Sequence, residues 1–256
     1  MAAALAAPLS QGQSRTLVID ANCQAGLGEA MTAPDTTRAG VEVTLRHMQE
    51  AAIDRTILSA ATNPGYEKPN QEIAEICKLN PGKFIGFARH DGERGKGGIG
   101  ALLRREIETL GLRGLRVTRQ PLRDLFDAAA DLRIPVLYES EALSNIHLVA
   151  AEYPKLPFIV TNLGTEGREW AAHYEAIAIA RRYPNVYLTT SALAGYKYFE
   201  IAASELGAEK LIFASDGPQR DSRVELYRVR LLKLPPADEA KVLGGNIQRL
   251  LPGGTP

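Results

Sequence analysis

The sequence is poor in the residues that usually announce chemistry. Its 256 residues hold two cysteines, Cys23 and Cys77, one tryptophan and four histidines. The cysteines have no metal-type spacing and imply no disulfide framework. Thirty basic and thirty acidic residues cancel, which removes the electrostatic case for nucleic acid or an anionic membrane as partner. No apolar run approaches the roughly 18 residues that cross a bilayer. No Gly-x-Gly-x-x-Gly fingerprint follows the first strand pattern, so a dinucleotide fold loses its main support. No linker divides the chain. The expected organisation is an Ala-rich leader over residues 1–15, one domain over 16–252 and a tail over 253–256. The leader reads either as disordered or as the remnant of an export signal, leaving cytoplasm and periplasm both open.

What is present is a repeat of two periodicities. Short β-branched or apolar runs fall at 16–19, 55–60, 84–88, 115–118, 135–139, 158–162, 186–190 and 211–215. Between them lie helical patterns at 39–52, 70–79 (with Asn70 as N-cap), 99–110, 122–132, 143–152, 168–182 and 196–206. Two more, at 224–232 and 238–250, close the chain. Strict alternation implies a parallel sheet, and eight units imply a closed (β/α)8 barrel, with an open doubly wound sheet as the alternative.

In such a barrel, chemistry belongs at the C-terminal ends of the strands. The stretch Val18-Ile-Asp20-Ala-Asn22-Cys-Gln24 delivers polar groups there. Simple alternation puts Asp20, Asn22 and Gln24 on one face and Ala21 and Cys23 on the other. Later strands end in His90, Thr118 and Arg119, Glu139, Asn162, Thr190 and Ser191, and Asp216. Burying so many polar groups is costly unless they are paired, hydrated or used on a ligand. Cys23 is expected to pack as a thiol toward the helices. His47, His147 and His173 fall within helices and are read as structural or solvated. Trp170 and Tyr174 open a helix and are candidates for the pocket lip. Of Arg89, Arg116 and Arg119, at least two are expected in surface ion pairs, and parity puts Arg116 on the face of Thr118.

These motifs resemble a known family. The Asp20-Ala-Asn22-Cys-Gln24 stretch is similar to the Asp-Ala-His-x-His opening of the amidohydrolase superfamily. It lies nearest the amidohydrolase-related branch with aminocarboxymuconate-semialdehyde decarboxylase-like enzymes. Pro135-Val-Leu-Tyr-Glu139, Pro157-Phe-Ile-Val-Thr-Asn162-Leu-Gly164, Asn185-Val-Tyr-Leu-Thr-Thr190-Ser191 and Leu211-Ile-Phe-Ala-Ser-Asp216-Gly-Pro218 follow the family's order of strand ends. Leu243-Gly-Gly-Asn246-Ile-Gln-Arg-Leu250 resembles its terminus.

The resemblance implies a barrel whose metal is held by two histidines of strand 1, histidines of strands 5 and 6, and an aspartate of strand 8. Here those positions read Asn22, Gln24, Glu139, Asn162 and Asp216. Amides are poor zinc ligands beside imidazole, and Thr118 ends strand 4 where a carboxylated lysine would stand. The expectation is no cofactor, with a divalent metal (Zn or Mn) left open if His90, Glu139 and Asp216 rebuild a site. Asp216, Glu139 and His90 are the catalytic candidates. Asn22, Gln24, Thr118, Arg119, Asn162, Thr190 and Trp170 are the substrate-binding candidates. The implied activity is a small-molecule hydrolase cleaving a C–N or C–O bond. The alternatives are a metal-free lyase or decarboxylase of the same family, or a non-catalytic ligand-binding relative. The expected partner is a small molecule, with no nucleic acid and no membrane, and a homodimer is left open.

Overall fold

A computed structural model describes residues 15–26, 40–62, 65–91, 98–165, 170–191 and 195–254. The leader up to residue 14, the end of the tail at 255–256 and positions 168–169 of the expected helix 168–182 lie outside the described residues.

The β-branched runs form parallel strands in chain order. Strands β1 (Ile19–Ala25), β2 (Arg55–Ala60) and β3 (Phe84–Gly86) make one ladder. Strands β4 (Ala88–Asp91), β5 (Leu115–Thr118), β6 (Val136–Glu139), β7 (Phe158–Val160), β8 (Val186–Thr189) and β9 (Leu211–Ile212) make the other. Strands β3 and β4 are halves of one stave interrupted at Phe87, whose N–H still donates to the Leu58 carbonyl at 2.8 Å. The last seam closes where Ala21 donates to Phe213 (3.0 Å), Asp216 to Asn22 (2.8 Å) and Gln24 to Gly217 (2.7 Å). Eight staves therefore close into the expected (β/α)8 barrel.

Helices α1 (Val41–Ala51), α2 (Glu67–Leu79), α3 (Ile99–Leu110), α4 (Arg123–Leu132), α5 (Leu143–Glu152), α6 (Trp170–Arg182), α7 (Lys197–Leu206) and α8 (Ser222–Arg230) follow the staves in turn. A final run of α9 (Pro236–Ala240), a π-helical turn at Lys241–Gly245 and α10 (Asn246–Leu250) ends the chain. Helix α2 starts at Glu67, about one turn earlier than an N-cap at Asn70 predicts. Asn70 therefore lies inside it, and its side chain reaches the Arg89 backbone and Glu106 instead of capping. No helix among the described residues is long and apolar enough to cross a membrane.

Two apolar layers hold the molecule. The larger lies between staves and helices, where Phe126 of α4 meets Phe158 of β7 edge-on at 5.5 Å. Burying each such ring contributes about 1.5–3 kcal/mol. The smaller fills the lower barrel with Ile19, Ala21, Ile57, Ile85, Phe87, Leu137, Ile159, Tyr187, Ile212 and Ala214, floored by Ile247 and Leu251. Gly114 makes room for this plug, since a Cβ there would stand 2.3 Å from the Phe87 ring.

Candidate functional site

Two residues farther along these inward-facing strand positions, the lining turns polar. Ile57 is followed by Ser59, Phe87 by Arg89, Leu137 by Glu139 and Ala214 by Asp216, as the period-2 alternation of strands requires. Strand β1 joins this layer through an irregularity. Its register to β2 slips between Asp20 and Cys23, so alternation breaks and Asp20 does not share the face of Asn22 and Gln24. Asp20 instead turns to the Cys23 side, accepting from Ser215 N (2.8 Å), Ser215 Oγ (2.5 Å) and Cys23 Sγ (3.3 Å). Burial raises the Asp20 carboxyl above its usual range against these hydrogen bonds, and burial also raises the Cys23 thiol. Cys23 is thus a packed thiol in a structural latch.

At the mouth, a chain of side chains crosses the barrel. Asn22 Nδ2 donates to Asp216 Oδ1 at 3.0 Å. Arg116 Nη1 donates to Asn22 Oδ1 at 2.6 Å, and Arg116 Nη2 donates to Glu139 Oε2 at 2.6 Å. A guanidinium only donates and a carboxylate only accepts, so the Asn22 amide orientation is dictated by its neighbours. Arg116 is 2% exposed. Burial works against its charge, but Glu139 and then Asp216 outweigh that and raise its pKa. Burial likewise opposes ionisation of Glu139, and Arg116 followed by Arg89 overcomes it, holding the carboxyl below its ordinary value.

A second buried guanidinium lies beside the first. Arg89 Nη1 donates to Gln24 Oε1 (2.8 Å) and the Ala60 carbonyl (2.9 Å), and Nη2 donates to Thr62 Oγ1 (3.1 Å). Its guanidinium stacks over the Tyr66 ring at 5.4 Å. Burial and the like charge of Arg116 lower its pKa. Thr118 Oγ1 donates to Asp91, which also accepts from Tyr66.

Opposite, Asn162 Oδ1 accepts from Ser191 Oγ (2.6 Å), and its N–H donates to Thr189 Oγ1 (2.9 Å). Asn162, Leu163, Arg119 and Asp216 all take left-handed backbone at strand ends (φ 54, 48, 68 and 63°). Each such residue costs of order 1–3 kcal/mol, and such strain gathers where geometry is used. A cavity of about 360 Å³ opens beside this wall, lined by Glu139, Glu141, Thr161, Asn162, Ala172 and Glu175 among others.

Several sequence-derived candidates lie elsewhere. The interruption at Phe87 sets the parity of β4, so Arg89 and Asp91 face the mouth and His90 faces the helices. His90 Nε2 lies 2.7 Å from Glu106 Oε2 of α3, both buried. The set His90, Glu139 and Asp216 is therefore not brought together. Thr190 is a strut, its Oγ1 accepting from Ala214 N. Arg119 sits half exposed on the outer rim, 3.5 Å from Glu141. Trp170 is exposed and meets Tyr174 edge-on at 6.1 Å. His173 is buried, with Nδ1 3.2 Å from the Leu163 carbonyl, which makes Nδ1 its protonated nitrogen. At least two of Arg89, Arg116 and Arg119 are expected from sequence in surface ion pairs, but only Arg119 is; Arg89 and Arg116 are buried at the centre of the site. Parity with Thr118 identifies Arg116 from sequence; Arg89 needs the position of the Phe87 break.

The chain belongs to the amidohydrolase family, whose model matches residues 25–253. Among curated proteins none matches the sequence. Solved structures similar in fold include 2,6-dihydroxybenzoate decarboxylase from Rhizobium (TM-score 0.71, 16% identity, covering 92% of this chain and 98% of that one). Dihydroxybenzoic acid decarboxylase from Polaromonas sp., solved with bound manganese and the inhibitor 2-nitroresorcinol, is another (0.71, 17%, 92% and 97%). A third is a putative 2-pyrone-4,6-dicarboxylic acid hydrolase from Pseudomonas putida (0.70, 16%, 93% and 98%).

The residues present do not fit the divalent metal that family membership implies. Asn22 Oδ1 and Glu139 Oε2 are engaged by a permanently charged guanidinium, Gln24 Oε1 by a second, and Asn162 Oδ1 by Ser191. Among the described residues no group of three or more His, Cys, Asp or Glu side chains is placed to hold a metal.

Proposed function

We propose that this protein is a lyase that removes a carboxyl group, as CO2, from a small carboxylic acid bound at the mouth of the barrel. The observation that carries the reading is Arg89, which is buried yet bonded only to neutral oxygens among the described residues. Glu139 and Asp91 favour its charge only from beyond hydrogen-bond distance, so no carboxylate is bonded to it, and a substrate carboxylate is the planar anion that a guanidinium recognises best. Two of the solved structures similar in fold are themselves named as decarboxylases of hydroxybenzoic acids, which favours loss of CO2 over hydrolysis.

The chemistry needs one proton delivered to carbon. In this reading Asp216 is the acid, with its carboxyl oriented by the Asn22 amide. Its proton goes to the carbon that bears the carboxylate. The C–C bond then breaks, its electron pair returns to the substrate framework, and CO2 leaves. Solvent reprotonates Asp216, so the sum is a carboxylate and a proton giving R–H and CO2. Arg89 holds the substrate anion, and Arg116 keeps Glu139 ionised and clear of the proton transfer.

The test measures CO2 release and thermal shift with a hydroxybenzoate series, 2,6-dihydroxybenzoate first, against the matching benzamides. Carboxylates stabilise the wild type and the amides do not; Arg89→Met abolishes the shift. Asp216→Asn keeps binding and lowers turnover by about 10²–10⁴-fold, the usual contribution of a positioned acid. Release of ammonia from the benzamides, with no CO2 from the acids, would return the hydrolase reading. Binding without turnover of any member would leave a ligand-binding relative.

A further inference from the structure

Arg116 is bonded to residues that stand at the family's metal-ligand positions. Its guanidinium is within hydrogen-bond distance of Asn22 and Glu139 and is linked through Asn22 to Asp216. These are three of the five positions that correspond to the family's metal ligands, drawn from the first, fifth and eighth staves. Arg116 itself comes from the fourth stave, on the same face as Thr118 and one layer deeper.

We propose that the Arg116 guanidinium is a resident cation that takes the place of the metal at these ligands and excludes a divalent ion from them. The side chains around it are what such a replacement requires. Asn22 accepts from the cation with its oxygen and donates to Asp216 with its nitrogen, a pairing a carboxylate at this position could not make. Glu139, where the family has imidazole, supplies a full negative charge at 2.6 Å. Asp216, the one family ligand retained, is bonded to the cation's partner instead of to the cation. The substitutions at positions 22 and 139 and the arginine at 116 thus form one coordinated exchange: two neutral imidazoles and a mobile ion for an amide, a carboxylate and a tethered charge. The exchange concerns how charge is supplied to the site and stands whichever bond the protein cleaves.

The experiment counts bound Mn²⁺ by equilibrium dialysis and electron paramagnetic resonance on the full chain, with folding checked by circular dichroism. Wild type takes up no Mn²⁺ that Glu139→Gln weakens. Arg116→Met, which leaves the Glu139 and Asp216 carboxylates facing an emptied position, binds one ion per chain. Removing a like charge a few ångströms away tightens binding by at least about a hundredfold over wild type. Adding Glu139→Gln abolishes that binding, and Arg116→Lys, which keeps the charge, binds none. One Mn²⁺ per wild-type chain, weakened by Glu139→Gln or Asp216→Asn, overturns the proposal, as does a folded Arg116→Met that binds none. If Arg116→Met does not fold, the chain carrying Asn22→His and Glu139→His with Arg116 intact decides. No uptake is expected there, and stoichiometric uptake overturns the proposal. Because the readout is bound metal, the result is independent of whether CO2 release is ever found.

Discussion

The lower and upper halves of the barrel interior are built from the same eight staves and obey opposite rules. Below, Ile57, Leu137, Ile159 and Ile212 are stabilised by apolar burial, a non-directional effect that demands no particular partner of any of them. Above, Arg116, Asn22, Glu139 and Asp216 are tolerable only as a set, because each satisfies a charge or hydrogen bond of another. One step of the strand repeat, about 7 Å of rise, separates the two regimes. The lower half makes the barrel stable, and the upper half uses that stability to hold charges that would not otherwise stay buried.

The sharpest way to break this contrast is Arg116→Met. Removing the buried guanidinium leaves the buried Asn22 oxygen and the half-exposed Glu139 carboxylate without their donor and should cost about 3 kcal/mol, read as a drop in the urea midpoint, and the added Glu139→Gln should recover part of it. In the lower half, Ile159→Ala should cost about 2–5 kcal/mol by cavity formation. Double variants with Leu137→Ala test whether costs there remain closer to additive, and carboxylate binding should survive. His90→Ala, on the helix side of its stave, leaves Glu106 short of a partner and should cost about 1–3 kcal/mol. It should leave the carboxylate-induced thermal shift unchanged; losing that shift would put His90 back in the site.

The smallest effect is the pH dependence. The Glu139 pKa is lowered on folding, so its contribution is fully present above the unfolded value near 4.3 and is lost as pH falls through the folded one. Acid denaturation should therefore be steeper in wild type than in Glu139→Gln. Asp20 acts with the opposite sign, because burial raises its pKa and its ionisation costs stability as pH rises.

The barrel was legible in the sequence because its signals are local: β-branched runs, helical spacing and polar residues at the strand ends. The site was legible only in part. Glu139 lies where parity along its unbroken strand puts it, and Asn22 and Asp216 are linked to it through Arg116. Where the strand is irregular, parity fails. The slip in β1 turns Asp20 away, and the Phe87 interruption exchanges His90 for Arg89. The guanidinium network was invisible for another reason. Parity gives the inward face of Arg116, but Arg116 meets Asn22 across 94 residues of chain, and no local pattern names the partner that an inward arginine will find.

The seam that closes the barrel also sets when the site comes into existence. Asn22 and Asp216 are 194 positions apart, and the Asn22 carbonyl receives its hydrogen bond from Asp216 N. On a ribosome the opening strand waits for the 194 positions that separate these partners before its outer edge is covered. The first stave emerges long before the edge that matches it. Nothing resembling the mouth can bind a ligand on a shortened nascent chain, and a stop before residue 211 yields a barrel with a stave missing, not a weaker version of the same protein.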